Sequence, residues 1–150
     1  MDNDNDVSTL NGLIKTTLDS VKGYEDAAED SESGSLASTF GAFASERRQV
    51  VARLQEEVRL LGGNPEDNGS VAGAAHRAFM NIKKAVVARD DKAVVEEVER
   101  GEDYLKEKYS EALRAGDLSP STRVVVEEAN RSVLAGHDKA SALKHSLANQ

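Results

Sequence analysis

Six side chains in this 150-residue chain have the types and positions to do chemistry: Glu25, Arg47, His76, Glu99, Glu102 and His137. Glu25, Arg47 and Glu102 fall on stripes of apolar residues that repeat with the helical period, where packing calls for carbon. His76 lies one turn from Phe79. An inward carboxylate must be paired, metal-bound or protonated, because a lone charge in a core is strongly destabilising. Two chemistries would use this set. In one, Glu25, His76, Glu99 and Glu102 ligate a divalent metal such as iron, manganese or zinc. Carboxylates and imidazoles from facing helices hold such ions, typically with Glu-x-x-His on two helices. That pair is missing here: Glu46-x-x-Gln49 and Glu99-x-x-Glu102 keep the spacing but end in Gln and Glu. In the other, Glu25 and Glu102 belong to a buried ion network with Arg47 as the available partner. His76 and His137 are then ordinary helix histidines bonded to a carboxylate or to solvent. The second reading carries the greater weight.

Five helices have to position these groups. The first is expected from about Asp6 to Asp30, capped by Asp6 or Ser8, with Val7, Leu10, Ile14, Leu18, Val21 and Ala28 inward and Glu25 completing the stripe. Residues 1–6, acidic and Asn-rich, are expected to fray. After the polar break "SESGS" a second helix starts near Ser35 and buries Leu36, Phe40, Phe43, Val50, Leu54 and Leu61, with Arg47 the odd member. Gly62, Gly63 and Pro65 end it. Ser70 caps a third helix, with Val71, Ala75, Phe79, Ile82 and Val86 inward, to about Ala88. Asp90 or Asp91 caps the fourth, whose stripe is Val95, Val98, Leu105 and Leu113 with Glu102 on the same line, and which reaches Gly116. Ser119 followed by Pro120 opens the fifth, with Val126, Ala129, Val133, Ala140, Leu143 and Leu147 inward. His145, beside Lys144 at its end, reads as exposed. Mid-helix Gly101 predicts close approach by a neighbouring helix, and Gly136 close approach by a neighbouring backbone. Counting heights from the turns places Glu102 near Ala78, one turn from His76, and Glu99 near His137.

Short links between long amphipathic helices imply antiparallel neighbours, hence an up-and-down four-helix bundle with one additional helix, the segment 69–89. Length indicates a single domain over 1–150. Zero cysteines exclude disulfides, thiolate metal sites and cysteine nucleophiles. A net charge of −8 repels phosphate backbones and anionic lipid, which argues against nucleic acid and membrane partners and for a basic protein partner, if any. No apolar run approaches the length that spans a bilayer, and the start "MDNDNDVSTL" has no leader-like pattern, so the expected location is cytoplasmic. No phosphate-cradling glycine loop, nucleophile elbow or calcium loop supports a motif-bearing enzyme class.

Three stretches, "GYEDAAE" from 23, "HRAFMNIK" from 76 and "ERGEDYLKEKYSEAL" from 99, together resemble a bacterial ferritin-like four-helix-bundle family known as a domain of unknown function. The resemblance covers nearly the whole chain. It implies a ferritin-like fold and brings no established reaction, substrate or cofactor. The positions that match the family's motifs are Tyr24, Glu25, His76, Arg77, Glu99, Gly101, Glu102 and Asp103. Phe79 stands where many relatives carry tryptophan. The expectation is therefore a non-enzymatic, stress-associated or structural module that self-associates as a homo-oligomer through an exposed face. The alternative is a metal-binding bundle with redox or iron-handling activity.

Overall fold

The computed structural model describes residues 3–69 and 73–148. It is all-helical: α1 (Asn3–Asp30), α2 (Gly34–Leu60), α3 (Ala74–Val87), α4 (Asp91–Arg114) and α5 (Pro120–Ala148), with no strand among the described residues. Local chemistry sets the boundaries. Ser33 caps α2 by accepting from the Leu36 amide, and Asp90 caps α4 by accepting from Ala93. Gly62, at φ 82°, closes α2: its amide bonds to Arg59 O and that of Gly63 to Val58 O, the paired bonds of a left-handed cap. α3 ends the same way, with the Arg89 amide on Val86 O and that of Asp90 on Ala85 O. Arg89 holds the left-handed position at φ 57°, where a side chain costs roughly 1–2 kcal/mol. Ser70 and Val71 lie outside the described residues, as do the side chains of Ala75, His145 and Leu147.

Three expectations are corrected. The first helix begins at Asn3 rather than near Asp6, so Asp6 is no cap. Its carboxylate is buried and accepts from the Ser119 amide at 3.2 Å, tying the start of α1 to the start of α5. On α4 the buried line runs Val94, Val98, Gly101, Glu102, Leu105 and Tyr109, with Val95 half-buried, because helical period places 94, 98, 101 and 105 on one face. Glu25 does not complete the α1 stripe: Tyr24 takes the inward position beside it and Glu25 faces solvent.

α1 lies along α2, α2 along α5 and α5 along α4, and α3 packs on both α1 and α4, which touch each other only briefly. All five helices feed one apolar cluster, including Leu10, Ile14, Leu54, Ile82, Leu105, Val126 and Val133. Each such side chain contributes about 1.5–3 kcal/mol on leaving water. Phe79 anchors α3 in a slot between two glycines. A Cβ on Gly23 would come within 2.7 Å of the Phe79 backbone oxygen and Cβ, and one on Gly101 within 2.7 Å of its ring. No described helix is long and apolar enough to cross a membrane.

Candidate functional site

The interior of an apolar bundle is a costly place for charge, yet one acidic and one basic side chain are completely enclosed here, Glu102 on α4 and Arg47 on α2, each 1% exposed. They meet. Arg47 Nη2 donates to Glu102 Oε1 at 2.6 Å, and the Tyr24 hydroxyl on α1 donates to Oε2 at 2.5 Å. Both carboxylate oxygens are thus held by donors from two other helices. Tyr24 is walled in by Phe40, Phe43 and Phe79, with ring centroids 5.8, 5.0 and 5.7 Å away. Gly136 of α5 makes room for the guanidinium, since a Cβ there would collide with Arg47 Nη2. The close neighbour expected at this glycine is therefore a side chain rather than backbone.

One side of this pair leads to a second buried polar contact, between Thr17 on α1 and Tyr109 on α4, with oxygens 2.8 Å apart. Thr17 also bonds to Leu13 O at 2.7 Å, and either hydroxyl can donate in its contact with Tyr109. The electrostatics follow from enclosure. Burial first, and then the Glu102 charge, push the Tyr24 phenol well above its ordinary value. Burial, partly offset by Thr17 and by the Arg47 charge, raises Tyr109 to about 12. Burial works most strongly against a charged Arg47, but Glu102, Tyr24 and Tyr109 together more than offset it, so its pKa is raised and the guanidinium stays ionised. Further along, Thr122 of α5 donates to buried Glu57 of α2 at 3.0 Å.

The four sequence-derived ligand candidates do not share one place. Glu102 lies in the centre. Glu25 is exposed and held by Arg48 of α2, which donates to Oε2 from Nε at 2.9 Å and again from Nη2. His76 is about one-third exposed, its Nδ1 3.9 Å from the buried Asp19 carboxylate. Glu25 and His76 do line one surface cleft of about 480 Å³ with Asp19 and Arg48, but neither Glu99 nor Glu102 reaches it. Glu99 is half-buried on α4, and His137 bonds to Asp103 at 2.7 Å, not to Glu99. Among the described residues no three acidic or imidazole side chains converge as they must around a cation. The contact between Arg47 and Glu102 is readable from their inward positions. The tyrosines are not: Tyr24 stands out only through the resemblance, and Thr17 and Tyr109 give no signal, because a hydroxyl on an apolar stripe reads as packing. Sequence reasoning misses Glu57, Thr122 and Asp19 likewise.

Residues 5–115 match the model of a family described as a domain of unknown function (DUF2383). No curated protein matches the chain.

Proposed function

The chain belongs to this family of unknown function, DUF2383, and from that premise we propose that it is a non-enzymatic structural module: a single ferritin-like bundle of α1, α2, α4 and α5, with α3 laid over the seam between α1 and α4. One observation carries the reading. Both oxygens of the central carboxylate are occupied by Arg47 and Tyr24 in a fully enclosed pocket, so the group that a metal or a substrate proton would need is already used by the protein itself. A catalytic acid or base must instead reach its substrate. The stress association rests on analogy with other ferritin-like proteins, and the bacterial setting on the family resemblance. Self-association and capture of a basic partner rest on the exposed helix faces and the charge of −8.

The competing reading, iron, manganese or zinc held by Glu25, His76, Glu99 and Glu102, requires Glu102 to leave its buried partners and, with Glu99, to reach the cleft that Glu25 and His76 line. Elemental analysis of protein purified after growth with all three metals separates the two. Trace metal, far below one equivalent per chain, is the expected result. A stoichiometric metal that is lost in Glu102→Gln would replace the structural reading with the metal one.

A further inference from the structure

Arg47 carries five N–H donors, and Glu102 engages only one of its two terminal nitrogens. The other, Nη1, is fully enclosed and meets no acceptor among the described residues. A buried donor on a charged group without an acceptor is among the costliest defects a core can carry, and native interiors relieve it with a protein oxygen or a trapped water. Helix register gives the level at which Nη1 lies. α1 and α2 run antiparallel from the turn at 31–33, and the stacking of Tyr24 on Phe40 fixes their alignment, eight residues on either side of Glu32. The same count sets Arg47 level with Thr17. A helical side chain leans toward its own N-terminus, so the guanidinium rises from the level of Thr17 and Tyr109 toward that of Tyr24 and Glu102. By level it falls between the two polar contacts. Whichever hydroxyl donates between Thr17 and Tyr109, the Tyr109 oxygen keeps a lone pair able to accept, and the guanidinium charge already acts on that hydroxyl.

We propose that a single buried water occupies this place, accepting from Arg47 Nη1 and donating to the Tyr109 oxygen, so that the contacts Tyr24–Glu102–Arg47 and Thr17–Tyr109 form one network across α1, α2 and α4. Charge decides the kind of guest. Arg47 and Glu102 already balance, so a chloride-sized anion would leave an uncompensated buried charge, whereas a neutral molecule with both donor and acceptor would not. Water bound to several polar partners is the usual form of such a guest.

The test is a high-resolution crystal structure of the full chain, with a parallel bromide soak, and the same for Tyr109→Phe. The expected result is one solvent peak at hydrogen-bonding distance from Nη1, without anomalous signal after the soak, and its loss in Tyr109→Phe. In solution, the native protein should show a slowly exchanging water with nuclear Overhauser contacts to the Tyr109 hydroxyl. An empty map at Nη1, a direct bond from Nη1 to a protein oxygen, a bromide signal there, or a peak unchanged in Tyr109→Phe would each overturn the proposal. The native crystal and the solution experiment decide the matter even if the variant does not fold.

Discussion

The Arg47–Glu102 pair sets a test of what buried charge does for a helical protein. Such pairs are poor stabilisers on balance, because desolvating two ions offsets most of their attraction, but removing one partner strands the other. Glu102→Gln should therefore lower unfolding free energy by about 3–5 kcal/mol, and Arg47→Met by a similar amount, both read by urea denaturation. The double variant Arg47→Met with Glu102→Leu should recover most of that loss. If the double variant is as unstable as the sum of the singles, the pair is not coupled as its 2.6 Å contact requires. Tyr109 offers a second reading by pH. Its folded pKa of about 12 stands above the unfolded value of 10.0, so its contribution is complete below pH 10 and is lost as pH rises from 10 toward 12. A shift of two units corresponds to about 3 kcal/mol. Over that range stability should fall less steeply in Tyr109→Phe than in the native chain; parallel curves would contradict the raised value.

At the scale of helices, much is legible because boundaries are written in local chemistry. Gly62, Asp90, Gly116 and the Ser119–Pro120 step each act through their own side chain or backbone, and the sequence shows them directly, whereas the cap at Ser33 lies two residues before the start expected near Ser35. Which way a polar residue on a long stripe faces is a different matter. A stripe is an arc wider than one residue, so Tyr24 and Glu25 are nearly equivalent in sequence, and only the aromatic cluster formed with α2 and α3 decides between them. Asp6 reads as a cap for the same reason: its true partner amide, at Ser119, is 113 residues away. Glycines sharpen the contrast between local and tertiary rules. Gly12 lies on an open face, where an added Cβ would meet nothing within 4 Å, whereas Gly101 sits against the Phe79 ring. Gly12→Ala should stabilise by up to about 1 kcal/mol through helix propensity alone. Gly101→Ala should instead destabilise by about 1–3 kcal/mol through overpacking. Thermal unfolding of the two variants side by side checks this, and equal signs would mean that the slot around Phe79 is looser than the contact distance of 2.7 Å implies.

For the whole molecule, the buried polar contacts have a common direction. Tyr24–Glu102, Arg47–Glu102, Thr17–Tyr109, Glu57–Thr122 and Asp6 with the Ser119 amide all join the α1–α2 pair to the α4–α5 pair. The two helical pairs are thereby matched to each other in register, and neither can separate without exposing several donors and acceptors at once. α3 is attached differently: among the described residues its buried side chains, including Ala78, Phe79, Ile82, Ala85 and Val86, are apolar, and its ion pairs, His76 with Asp19 and Lys83 with Asp30, are long at 3.9 and 3.7 Å. Apolar docking through one anchor can fail by itself, while a shared polar seam fails all together. Phe79→Ala, expected to cost about 3–5 kcal/mol where the ring is fully buried, should thus act unevenly. Amide hydrogen exchange should accelerate most in α3, with smaller changes in α2 and α5, which do not line the Phe79 slot. Arg47→Met, by contrast, should accelerate exchange in α1, α2, α4 and α5 alike, because the contact it breaks belongs to both helical pairs. A uniform increase across all five helices in Phe79→Ala would show that α3 is as much a part of the cooperative unit as the other four.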